Sequence, residues 1–193
     1  MVLIAPPSPK KTPQALRLTV EDVLRLIHAG AFHPEQRFEL LDGEIIYMPP
    51  IEAPHGESTD TLYEHLFRKI GDTHRIRCQG AIRLNAYSAP EPDFAILQRR
   101  EGGYGKALPT AEDTYLVIEV SATTQRYDLG KKRDAYARAS IPEYWVLDLK
   151  KQELHVFRKP WDGTYTEHDT LDKQASVTCS TIPGLKLHVA DMM

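Results

Sequence analysis

The sequence predicts one α+β or mixed α/β domain, and three observations carry that prediction. Apolar residues recur at helical spacing in two early stretches, and a third helix is expected at about 128–139. Two runs, YLVIEV and YWVLDL, are almost wholly apolar, which marks strands buried on both faces. The order of elements is helix, hairpin, helix, three strands, helix, strand and further strands, with no repeat or linker within it. A length of 193 residues suits a single core, and 41% hydrophobic with 26% charged residues excludes a disordered or fibrous chain.

The elements follow in order. Residues 1–15 hold Pro6, Pro7, Pro9 and Pro13 and read as an extended arm before a domain spanning 16–193. Thr19 with Asp22 forms a capping box for a helix whose apolar face is Val20, Val23, Leu24 and Ile27, stopped at Gly30. RFELLDGEIIYMPP is a hairpin turning at Asp42-Gly43, and Pro49-Pro50 ends its second strand. Residues 55–70 carry Leu62, Tyr63, Leu66, Phe67 and Ile70 on a helical stripe closed by Gly71. RCQGAIRL, DFAIL and YLVIEV are strands. The third helix stops before Ile141-Pro142, and YWVLDL, ELHVF and GLKLHV are strands again.

Composition narrows the function classes. No run of about 18 apolar residues is present, so no membrane-spanning helix is expected. Cys78 and Cys179 form no CxxC and suggest no disulfide framework, which points to a reducing cytoplasm. The net charge is −3. A protein that coats nucleic acid non-specifically is usually basic, so any such contact must come from a local patch or a bound metal. There is no HExxH, no GxSxG and no phosphate loop, and His74 with Cys78 lacks the partners of a zinc tetrad. Gly102-Gly103-Tyr104-Gly105 reads as a loop between strands, with a place near substrate one option.

The informative residues are acids in strands. Asp93 opens DFAIL after Pro92, and Glu119 follows Leu116, Val117 and Ile118 with no basic neighbour in its strand. An unpaired carboxylate inside a sheet costs several kcal/mol. A hard cation held by two convergent carboxylates would compensate it; so would a turn role for Asp93 and an arginine partner for Glu119. Asp128, Lys132 and Tyr136 fall at i, i+4 and i+8 on the third helix, so Lys132 can reach the ends of the central strands, or pair locally with Asp128. Residues 126–138 carry five basic residues against two acids, a local basic patch or an ordinary solvated face.

RFELLDGEIIYMPP, His55, Pro92-Asp93, EVSATT and DLGKKRDAYARASIPEYWVLD together resemble the Uma2 family (DUF820) of restriction-endonuclease-like proteins in the PD-(D/E)XK nuclease superfamily. The resemblance runs from about residue 17 to 190, and GKKRDAYARASIPEYWVLD is its most specific part. It implies a restriction-endonuclease-like core, a central mixed sheet flanked by helices, with the site at one end of the sheet. Asp93 then matches the motif aspartate and Glu119 the motif acid. The superfamily lysine would stand at Ser121, and Lys132 on the following helix matches the Uma2 pattern instead. Glu39 resembles a further family acid, either a metal or water ligand or a hairpin surface acid, and His55 a recurrent family histidine, either a catalytic residue or a helix-start cap or surface residue.

The implied activity is endonucleolytic hydrolysis of phosphodiester bonds in nucleic acid, DNA foremost, with Mg²⁺ (or Mn²⁺ in its place) on Asp93, Glu119 and the Val120 carbonyl. Lys132 would stabilise phosphate charge or orient water, and Arg126, Lys131 and Arg133 would contact phosphates. A homodimer is expected, because breaking a duplex takes two cuts, with the proline-rich arm and Tyr144-Trp145 as candidate contacts. The alternative is a catalytically inactive or regulatory nucleic-acid- or protein-binding module on the same fold.

Overall fold

Helix α1 (Val20–His28) begins where its cap stands. The Thr19 hydroxyl accepts from Asp22 N–H at 3.1 Å, and Asp22 Oδ2 accepts from Thr19 N–H at 3.0 Å. Gly30, at φ +68°, ends the turn. Val20 and Val23 are buried, but Leu24 and Ile27 are exposed, so only half of the expected apolar face is covered. The computed structural model describes residues 15–193. The arm expected over 1–15 lies, but for Ala15, outside the described residues.

Strands β1 (Phe38–Leu41) and β2 (Glu44–Tyr47) form the expected hairpin. Asp42 and Gly43 both take positive φ, 51° and 82°, as a two-residue turn requires. Leu40 C=O accepts from Ala89 N–H at 2.8 Å, and Gly43 N–H donates to Tyr87 C=O at 2.7 Å. The hairpin is thus laid against the 85–90 loop, and Glu39 is buried with Leu40 and Leu41.

Helix α2 (Ala53–Ile70) starts with proline in its first turn, where a missing N–H costs nothing. It presses Leu62, Leu66 and Ile70 onto one face of a six-stranded sheet. The sheet order is β3 (His74–Cys78), β4 (Phe94–Gln98), β5 (Thr114–Ser121), β6 (Glu143–Asp148), β7 (Glu153–Trp161) and β8 (Thr164–Asp172). Every neighbouring pair is antiparallel except β5 with β6, so the sheet is mixed. The short pair β9 (Ser176–Thr178) and β10 (Lys186–His188), with a 3-10 turn over Val189–Met192, joins α2 on that face.

The crossover from β5 to β6 covers the opposite face. It consists of α3 (Gln125–Tyr127), a π turn over Asp128–Lys132, and α4 (Arg133–Arg138). Tyr136 packs there with Val117, Tyr144 and Val146.

Four expectations change. The strand read from RCQGAIRL lies earlier, at His74–Cys78, because Gln79 takes φ +44° and breaks it. ELHVF extends to Trp161 and pairs with β8, whose exposed polar sequence carries no apolar alternation. Tyr144 and Trp145 are fully buried in the core, so they cannot serve as contacts of a dimer. The Gly102–Gly105 loop follows β4 at the end opposite Asp93, so it is not beside the acids.

Candidate active site

Register brings the two strand acids together. Phe94 faces Ile118 across the β4–β5 ladder, so the preceding Asp93 stands opposite Glu119. Phe94 and Ile118 point into the core beneath α2, which turns Asp93 and Glu119 toward the crossover face. Asp93 Oδ2 accepts from Val120 N–H at 2.8 Å, tying the loop before β4 to the end of β5. His55, in the first turn of α2, sets Nε2 3.1 Å from each Asp93 oxygen.

The crossover delivers the lysine. Lys132 is 1% exposed; its Nζ lies 2.9 Å from Glu119 Oε1 and 3.1 Å from Glu39 Oε2. Tyr136 Oη donates to Glu119 Oε1 at 3.0 Å. Burial alone would lower the Lys132 ammonium, but the carboxylates of Glu119, Glu39 and Asp128 overcome it and hold the lysine protonated. The π turn widens the helix here, with Arg133 N–H reaching back to Asp128 C=O, which Tyr144 Oη also binds at 3.0 Å. Asp128 is buried too, its Oδ2 accepting from Ser121 Oγ at 2.8 Å and Thr124 Oγ1 at 2.5 Å.

Glu39 is not a surface acid. It is 2% exposed, and both of its oxygens are engaged: Oε1 by Tyr127 Oη at 2.7 Å, Oε2 by Glu91 N–H at 3.0 Å and by Lys132. An acid so placed anchors the lysine. Lys131, by contrast, pairs on the surface with Glu44 at 3.7 Å, and Arg133 with Asp134 at 2.6 Å. Neither these two nor Arg126 lines the cleft above the acids; the cationic lining is Arg37 and Lys132.

Five acids line that cleft: Glu52, Glu91, Asp93, Glu119 and Asp128. Burial pushes the Glu119 carboxyl well up, against the pull of Lys132 and with the neighbouring acids adding to it. Burial raises Asp128, and burial with Glu39 raises Glu91. A cleft with more carboxylates than cations fits a hard divalent ion. Asp93, Glu119 and the Val120 carbonyl are the donor set that would hold it.

The sequence over residues 20–190 matches the Uma2 family, described as "putative restriction endonuclease". The chain belongs to the Uma2 family. This membership supports a nuclease. A similar solved structure is that of "a putative nuclease belonging to DUF820" from Anabaena variabilis, at 19% identity and a TM-score of 0.74. The match covers 91% of this chain and 97% of that one, and it shows the shared Uma2 fold. No curated protein matches the sequence. No helix among the described residues is long and apolar enough to cross a membrane.

Sequence reasoning missed Glu91, Tyr127 and Arg37. Glu91 had a signal, since it stands two residues before Asp93 and so shares its side of an extended chain. Tyr127 had none, because its reach to Glu39 depends on a helix packed against a distant hairpin.

Proposed function

We propose that the chain is a divalent-metal-dependent endonuclease hydrolysing phosphodiester bonds of nucleic acid, with DNA the expected substrate and Mg²⁺, or Mn²⁺ in its place, the cofactor. The observation that carries this reading is the pairing of Lys132 with Glu119 beside Asp93 at one end of the sheet. A structural core has no need of a buried lysine set among that many acids.

The ion, held by Asp93, Glu119 and the Val120 carbonyl, would acidify water and offset charge growing on the phosphate. Lys132 is already desolvated and fixed between two carboxylates, so its ammonium presents charge to a phosphate without reorganising. Tyr136 and Glu39 hold that geometry from either side. His55 keeps the Asp93 carboxylate turned toward Val120. Arg37, half-buried at the cleft wall with Nη1 donating to Pro49 C=O at 3.1 Å, is the other cation placed to meet a backbone phosphate. A homodimer would supply two such sites for two strands.

The test is a cleavage screen on supercoiled plasmid, linear duplex, single-stranded DNA and RNA, with Mg²⁺ or Mn²⁺ and an Asp93→Ala control. Cutting that needs the metal and disappears in the control supports the reading. Tight binding without cutting in every metal would favour the alternative of a binding module on the same fold.

A further inference from the structure

Outside the cleft, a second group of ligating side chains stands on the same face of the sheet. Asp148 closes β6, and Glu153 and His155 lie on β7, with Asp148 facing Glu153 and Val146 facing His155 across the antiparallel ladder. One ligand atom from each of the three lies within 4.8 Å of the other two. Asp148 and His155 are 1% and 7% exposed.

The histidine is the independent sign. His155 Nε2 is buried and makes no hydrogen bond, although Glu153 Oε1 lies only 3.1 Å away. Leaving a buried ring nitrogen without a partner costs about 1–3 kcal/mol. Two ligands about 2.0–2.1 Å from one zinc ion, at tetrahedral or slightly smaller angles, stand roughly 3.1–3.4 Å apart. The Nε2–Oε1 separation fits two ligands of one ion, and the pair makes no hydrogen bond of its own.

The other ring nitrogen is already oriented. His155 Nδ1 lies 3.2 Å from both His168 Nε2 and Thr170 Oγ1. If Nδ1 carries the proton toward them, Nε2 turns its lone pair into the cluster, which is how an outer partner fixes a ligating imidazole. Asp148 Oδ1 is occupied by Lys150 N–H at 2.9 Å and Lys151 N–H at 3.0 Å, while Oδ2 has no partner among the described residues. Lys151 Nζ, 3.2 Å from Glu153 Oε1, is exposed and free to leave.

We propose that Asp148, Glu153 and His155 form a second metal site, for a divalent ion of the zinc or manganese class. One imidazole with two carboxylates suits such borderline ions better than magnesium. The proposal does not rest on the nuclease reading. The site would clamp β6 to β7 beside the loop that walls the cleft. Gln125 connects the two, its Nε2 donating to Ala122 C=O at 2.9 Å and to Asp148 Oδ1 at 3.4 Å.

The experiment is calorimetric titration of chelator-treated full-length protein with Zn²⁺, in excess Mg²⁺ to fill the hard-cation site. Wild type and Glu119→Gln should each take up one zinc ion with similar affinity. Glu153→Gln and His155→Gln should lose more than the roughly 10–100-fold that outer partners contribute, because they remove ligands outright. A second measurement needs no variant: long-range proton–nitrogen spectra of wild type should show His155 Nε2 moving on Zn²⁺ addition. An unmoved Nε2 would overturn the proposal. So would zinc affinity that survives both ligand substitutions and falls only in Glu119→Gln.

Discussion

Lys132 Nζ lies 2.9 Å from Glu119 Oε1, and both side chains are almost wholly shielded from water. The lysine reaches Glu119 from the crossover, while the β5 position two residues after the acid is Ser121, whose hydroxyl donates to Asp128 instead. A buried ion pair of this kind is unforgiving, because removing one partner strands the other in a low dielectric.

Lys132→Met should therefore cost about 3–5 kcal/mol in urea unfolding of the metal-free protein, by leaving Glu39 and Glu119 unpaired. It should also lower any cleavage rate by about 10²–10³-fold, the size expected for losing one charge-stabilising group. Lys131→Ala removes an exposed cation and should change stability by no more than about 0.5 kcal/mol. Equal losses from the two substitutions would show that the basic segment only attracts phosphate.

Mn²⁺ binding at the cleft should require both strand acids. Glu119→Gln keeps the shape of the side chain but removes the charge, and Asp93→Asn does the same across the ladder. Each should weaken Mn²⁺ by more than about tenfold, since a hard dication depends on charged oxygen ligands. Electron paramagnetic titration of free Mn²⁺ reads this directly. Wild-type affinity in either variant would remove these residues from the donor set.

How much of this was legible in the sequence depends on the range of the interaction. The Thr19–Asp22 box and the Asp42-Gly43 turn are local, and they stand where the sequence puts them. The β5 and β6 strands were legible because burial on both faces leaves a continuous apolar run. Strand β8 was not, because an edge strand with polar faces is held by hydrogen bonds to β7 and a turn at Asp162-Gly163. Asp93, Glu119 and Lys132 stood out as charges in apolar or helical context, and the fold gathers them. The basic patch left two readings open in the sequence, and only the fold shows that Lys131 and Arg133 stand beside Glu44 and Asp134, outside the cleft lining. The Tyr127–Glu39 contact links positions far apart in sequence, and no local pattern encodes it.

The two cysteines should differ sharply in reactivity. Cys179 is buried, and burial with Glu143 beside it pushes its thiol up to about 11. Cys78 is exposed, although partial burial of its sulfur and the charge of Asp93 raise its thiol as well. The thiolate is the reactive form, so both are slow at neutral pH, with Cys179 the slower by far. A disulfide reagent at pH 8 should titrate one thiol in the native protein and two in denaturant. Two equivalents in the native state would mean that the core around Cys179 opens readily.

His55 separates positioning from direct catalysis. Its Nε2 lies 3.1 Å from both oxygens of Asp93, so its immediate task is to hold that carboxylate where Val120 N–H also binds it. Without the ring, Asp93 keeps the backbone hydrogen bond but gains freedom to rotate. His55→Ala should then raise the Mn²⁺ concentration needed for half-maximal cleavage, by about the 10–100-fold typical of losing a residue that orients a ligand. The rate at saturating Mn²⁺ should stay within a few-fold of wild type. His55→Gln, which can still donate to Asp93, should recover most of the metal affinity. A rate that stays low in His55→Ala at every metal concentration would instead make His55 a proton-transfer group acting on the substrate.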